Sequence, residues 1–201
     1  MKRLAWLSSV HSRAEALLSA RGFADCVERL HRPDQKGKRG LDGMHGYYWY
    51  LHALILVAQP RTVVELGQCL GTSTLFLLAA LPENGRLITV DTEERASELS
   101  HCLDDPRLTV IVGNDLDLSI YDGLDLGPID FLFVDTDHRY EQAKKESDLY
   151  LPLLSPNALV VFDDTTMNDM GPFWDELSCA KIETGDRYHY TGFGLVAPDG
   201  C

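Results

Sequence analysis

The 201 residues carry 18 basic and 31 acidic side chains, a formal charge of −13, with 45% hydrophobic content. That length and apolar share suffice for one cored domain, and the acidic balance excludes a nucleic-acid backbone as main partner, because phosphate binding needs a basic face. No run approaches the ~20 apolar residues of a membrane span, and the first residues lack the apolar stretch of a signal peptide. Cys26, Cys69, Cys102, Cys179 and Cys201 are odd in number and scattered, with no CxxC pair. They predict neither a zinc site nor a disulfide framework and fit a reducing cytoplasm. The charge is uneven: residues 1–40 hold nine Lys/Arg against four Asp/Glu, a basic segment suited to an anionic substrate or to the acidic body itself.

In chain order, two short helices are expected at 12–20 and 25–31, the first stopped by Gly22 and the second capped by Asp25. "RPDQKGKRGLDG" (32–43) reads as a mobile loop. "MHGYYWYLHALILVA" (Met44 to Ala58) is apolar on most sides, a buried helix ended before Pro60. Strands then alternate with helices: strands at 62–66, 86–91, 108–112, 129–135 and 158–164, helices at 72–81, 93–103 and 139–151. Near-continuous Val/Ile/Leu runs separated by helices mark strands buried on both faces of a parallel sheet. The tail differs, with "AKIET", a turn at Gly185-Asp186 and "YHYTGFGLVA" forming an antiparallel hairpin at a sheet edge. The expected fold is α/β, a doubly wound, mostly parallel, seven-stranded sheet in a single domain over 1–201. Residues 1–58 form its N-terminal helical segment and loop, and residues 62–196 its core.

In such a sheet ligands sit beyond the carboxyl ends of the strands, where strand order reverses. The polar residues that end strands are Glu65, Asp91, Asn114, Asp115, Asp135, Asp137, Asp163 and Asp164. Unpaired carboxylates are costly to bury there, so a ligand with hydroxyls, amines or positive charge should answer them. In "VVELGQCLGTST" (63–74), Gly67 and Gly71 can take positive φ and admit a ligand to the backbone, while the helix start at Thr72 and Ser73 offers free N–H groups to an anion. The dinucleotide pattern GxGxxG fails at Cys69 and Thr72, and the GK[ST] ending of a P-loop is absent. Asp91, at the end of "LITVD", can accept both hydrogens of a ribose diol or cap the helix near Glu93.

Together, "ELGxxxGxST" and the strand-ending Asp91 resemble the class I S-adenosylmethionine-dependent methyltransferases, over about Thr62 to Val196. The resemblance implies that the loop with Glu65, Gly67, Gly71, Thr72 and Ser73 holds the methionine part of the cofactor and that Asp91 takes its ribose. Asn114 or Asp115 would meet the adenine, and Cys69 stands where relatives have a central glycine.

"FVDTDHRYE" (133–141) and "FDD" (162–164) add a second feature. If the fourth and fifth strands are neighbours, about 4.8 Å apart, Asp135, Asp163 and Asp164 converge as hard oxygen ligands suited to Mg²⁺, with Asp135 also bordering the cofactor. The bland alternatives are that Asp137 caps the following helix and Asp164 a turn. The pattern resembles the metal-dependent small-molecule O-methyltransferases of the catechol type and of the sugar-modifying type found in antibiotic pathways. That resemblance implies a base at Asp137, as in the sugar type, or at His138, the position of the catechol-type lysine.

"MNDMGPFW" (167–174) follows the acids and can wall a substrate pocket, with Trp174 packed either on a flat substrate or on the sheet. The expected function is a cytoplasmic, Mg²⁺-assisted O-methyltransferase acting on a hydroxyl of a small metabolite, with neither nucleic acid nor membrane as partner. The alternatives are a metal-independent N- or O-methyltransferase and a cofactor-binding module without transferase activity. A homodimer through the N-terminal helices or the edge hairpin is compatible with the residues.

Overall fold

Strands that are apolar at every position can be buried only between two layers of helices, and that is the arrangement found. The computed structural model describes residues 2–19, 46–94 and 103–198. The strands are β1 (Thr62–Leu66), β2 (Arg86–Asp91), β3 (Leu108–Val112), β4 (Ile129–Val134), β5 (Leu154–Asp163), β6 (Ala180–Glu183) and β7 (Phe193–Ala197). They form one sheet in the order β3-β2-β1-β4-β5-β7-β6. The first five pair in parallel, and β7 runs antiparallel between β5 and β6. The helices are α1 (Lys2–Leu18), α2 (Gly46–Ala58), α3 (Thr72–Ala80), α4 (Tyr140–Tyr150) and α5 (Met170–Glu176).

Alternate strand residues point to opposite faces, and each face has its own core. Val63, Phe131, Phe133, Leu159, Val161 and Leu195 pack with Leu7, Tyr50, Leu54 and Leu77 from α1 to α3. Val64, Leu132, Val134, Val160, Phe162 and Val196 pack with Ala143, Tyr150, Phe173 and Trp174 from α4 and α5. Beyond β1 the order reverses: β2 and β3 lie to one side, β4 and β5 to the other. This switch point puts the carboxyl ends of β1 and β4 side by side, where an open α/β sheet binds its ligand.

The doubly wound sheet and its antiparallel edge pair match the sequence expectation, and several boundaries do not. Helix α1 begins at Lys2, not at 12, and β5 begins at Leu154, not at 158. A register irregularity between Ile129 and Phe131 accommodates the added β5 residues. The second hairpin strand starts only at Phe193. Gly192, with φ 90°, lies against the turn after β5, where a Cβ would sit 2.2 Å from Thr165 Oγ1, and residues 188–192 lie outside the ladder. The helix at 25–31, the loop at 32–43 and most of the helix at 93–103 lie outside the described residues. Cys179 is disulfide-bonded, which the scattered cysteines did not predict. No helix among the described residues is long and apolar enough to cross a membrane.

Candidate active site

The turn after β1 is shaped by close backbone approach. Gly67 has φ 91°, and a Cβ there would sit 1.8 Å from the Asp135 carbonyl oxygen. Its N–H donates to Val90 O at 2.9 Å, while the Asp135 N–H donates to Leu66 O at 2.9 Å. Only glycine meets both demands, the left-handed φ and the absent Cβ. Cys69 also takes a left-handed φ of 47°. Its N–H donates to Asp91 Oδ2 at 2.7 Å, and the Glu93 N–H donates to Asp91 Oδ1 at 3.0 Å, so Asp91 is drawn against the loop. Gly71, φ 87°, opens α3 with no side-chain cap, which leaves the first-turn N–H groups at Thr72 and Ser73 suited to an anion.

Glu65 lies beneath this loop, fully buried. Its Oε2 accepts from Thr74 Oγ1 at 2.5 Å and from Thr89 Oγ1 at 2.7 Å. Burial nevertheless raises its pKa to about 7. Glu65 Oε1 and Gln68 Nε2 are buried with no hydrogen-bond partner. An orphaned acceptor and an orphaned donor at one loop fit the ammonium and carboxylate of an amino-acid group. Beyond β3 the two sequence candidates separate. Asn114 is exposed and accepts from the Leu116 N–H. Asp115 is buried and accepts from Gln142 Nε2 at 3.1 Å. Gln142 and Thr136 also donate to buried Glu146, at 2.8 and 2.6 Å. Burial and the neighbouring Asp115 carboxyl push Glu146 up to about 8.

The carboxylates expected at β4 and β5 lie at the same sheet edge. Asp163 is 2% exposed and Asp164 7% exposed. Burial, then the charges of Asp163, Glu65 and Asp164, hold Asp135 well above the usual carboxylate range. Burial also raises Asp163, against the pull of His189. In Asp164 burial is outweighed by hydrogen bonds from His189 and Thr191, and its pKa falls.

Two histidines face these acids. His138, with a left-handed φ of 49°, places Nε2 at 3.3 Å from Asp164 Oδ2 and 3.6 Å from Asp135 Oδ1. His189 places Nδ1 at 2.8 Å from Asp163 Oδ1 and 3.2 Å from Asp164 Oδ1. Burial works against its charge, but the hydrogen bonds to both aspartates win and push its pKa up to about 10. Asp163, Asp164 and His189 offer ligand atoms within 4.8 Å of one another; Asp135 joins them through His138. Asp137 instead turns outward, 64% exposed and 3.3 Å from Arg139 Nε. Trp174 is buried and packs on the sheet, where a Cβ on Gly194 would meet its ring at 2.4 Å.

Gln68, His189 and Thr191 are site residues that the sequence did not disclose. "YHYTGFG" has the alternation of a strand, and no local signal shows that its first residues leave the ladder. A sheet of this order, with acids at the carboxyl ends of β1, β2, β4 and β5, has the form of a Rossmann-like methyltransferase. Residues 64–165 match the methyltransferase domain family, and the chain belongs to that family. It is 30% identical over 146 residues to a catechol O-methyltransferase of Niastella koreensis; the match covers 69% of this chain and 63% of that relative's length. Among solved structures it is similar to TomG, an O-methyltransferase from Streptomyces achromogenes involved in tomaymycin synthesis and bound to S-adenosylmethionine. That likeness has a TM-score of 0.60 and 26% identity, covering 93% of this chain and 94% of the other. An O-methyltransferase from Bacillus cereus in complex with S-adenosylhomocysteine shares the fold, with a TM-score of 0.61, 19% identity and coverage of 96% and 98%.

Proposed function

We propose that the chain is an S-adenosylmethionine-dependent O-methyltransferase that acts on a hydroxyl of a small metabolite with the help of a divalent cation, Mg²⁺ being the ion the acids suggest. The observation that carries this reading is the shared edge: Gly67 of the cofactor loop lies against the Asp135 backbone. A methyl donor on the loop and a hydroxyl on the acids are therefore neighbours. The orphaned Glu65 Oε1 and Gln68 Nε2 suit the methionine end of the cofactor, Asp91 its ribose, and buried Asp115 its adenine side. Asp163 and Asp164, with Asp135 beside them, are the oxygen donors for a cation, whose charge would offset the burial and the carboxylate repulsion that raise the Asp135 pKa. The O-methyltransferase relatives support a small-molecule substrate. The reading keeps the cytoplasm as location.

When bound, the cofactor would supply the methyl group, its sulfonium leaving as a thioether, and a cation held by Asp163 and Asp164 would lower the pKa of the substrate hydroxyl. The chain's own part is to orient the two and to take the proton. His138 Nε2 is placed for this, since an imidazolium formed there is flanked by Asp135 and Asp164. Asp137 faces solvent and pairs with Arg139, so we assign it no proton transfer. The test is calorimetric titration of S-adenosylmethionine and then Mg²⁺ into chelated protein, beside the Asp163→Asn/Asp164→Asn variant. Cofactor heat followed by a metal heat that the variant loses supports the reading. Cofactor heat alone moves it to a metal-independent transferase, and no cofactor heat overturns it.

A further inference from the structure

We infer that His189 is a direct ligand of the proposed cation, so that the site favours a nitrogen-accepting ion such as Mn²⁺, Fe²⁺ or Zn²⁺ over Mg²⁺. This rests on the metal-assisted reading above and deepens it. Two carboxylates and one imidazole form a mixed donor set. Imidazole suits first-row transition ions, whereas Mg²⁺ keeps oxygen ligands and water.

The geometry points the same way. In an octahedral site with bonds of about 2.1 Å, neighbouring ligand atoms are about 3.0 Å apart. His189 Nδ1 lies 2.8 Å from Asp163 Oδ1 and 3.2 Å from Asp164 Oδ1, so one atom of each residue already sits near such an edge length. The imidazole is held in place: its ring lies against Tyr47 of α2, centroids 4.8 Å apart and planes tilted by 39°, and Thr191 Oγ1 lies 3.2 Å from Nδ1 while also donating to Asp164 Oδ1. Thr191 thus contacts both candidate ligand residues, Asp164 and His189, and fixes them relative to one another. The three candidate ligands come from the β5 end and the segment before β7, and His138 links them to Asp135 through contacts of 3.3 Å to Asp164 and 3.6 Å to Asp135.

The alternative is that His189 only positions Asp163 by a hydrogen bond. Its loss would then weaken every ion in proportion, whereas loss of a nitrogen ligand changes the preference among ions. The experiment titrates Co²⁺ and Mg²⁺ into chelated full-length protein by calorimetry, for the wild type and for His189→Gln, with melting curves to check folding. Loss of a ligand predicts that His189→Gln weakens Co²⁺ by a larger factor than Mg²⁺, shifting the ratio of their dissociation constants. Pulsed electron paramagnetic resonance of the Mn²⁺-loaded wild type supplies a second readout that needs no folded variant, since a bound imidazole gives a directly coupled nitrogen. Equal weakening of both ions, no weakening of either, or absence of the nitrogen coupling overturns the assignment of His189 while leaving the metal reading intact. If the wild type binds neither ion, the metal reading itself fails and this inference with it.

Discussion

Replacing Gly67 by alanine tests the contact on which the joined site depends. The new Cβ would meet Asp135 O at 1.8 Å and Asp135 C at 2.6 Å, so β1 or the β4 end must move by more than about 1 Å to restore a normal contact. A left-handed φ costs an alanine about 1–2 kcal/mol, and forced overpacking adds about 1–3 kcal/mol. The expected loss is therefore about 2–5 kcal/mol. Gly123 provides an internal control, because it has nearly the same φ, 87°, and nothing within 4 Å of an added Cβ. Gly123→Ala should lose only the conformational part, about 1–2 kcal/mol. Urea unfolding of both variants measures the difference, and titration of S-adenosylhomocysteine should show weakened binding in Gly67→Ala alone. Equal losses in the two variants would refute the reasoning, since they would mean that the Asp135 backbone does not press on the loop.

Three further outcomes follow from the same geometry. Glu65 titrates near its ordinary value when unfolded and near 7 when folded; the folded state then binds more protons in that window. Stability of the cofactor-free protein should fall by about 3 kcal/mol as pH rises from ~4.5 to ~7, a decline that Glu65→Gln flattens in pH-dependent denaturation, leaving the slopes of Asp135, Asp163 and Glu146. His138→Gln should lower kcat about 10²–10⁴-fold, whereas Asp137→Asn, at an exposed side chain, should change it about twofold or less. Steady-state kinetics on an accepted hydroxyl substrate decide between them, and the reverse ranking would return the base to Asp137. Phe133→Ala, at a fully buried position of central β4, should cost about 3–5 kcal/mol in chemical denaturation, and a loss below 1 kcal/mol would contradict its place in the core.

The alternation of apolar runs with amphipathic stretches was sufficient to read the doubly wound sheet, because strands buried on both faces and helices buried on one carry different periodicities. The turn after β1 was legible for a related reason: positive φ at Gly67 and Gly71 is a local requirement, written in the residue type. Acids at strand ends could likewise be placed at the binding edge, since parallel topology puts every such end on one side of the sheet. Their individual roles were not legible. Asn114 and Asp115 are adjacent, and only packing against Gln142 brings one inside. Asp137 and His138 are adjacent too, and the left-handed turn at His138 decides which of them faces the acids. His189 lies 25 residues beyond Asp164, and it reaches the site because β7 inserts antiparallel beside β5. By itself the sequence determined most of the elements, the sheet end at which the acids gather and the residue types available there, all fixed by local periodicity and residue type. Which side chains converge was decided by the tertiary structure, because contacts between distant segments depend on strand order and on the bend at Gly192, which no local pattern encodes.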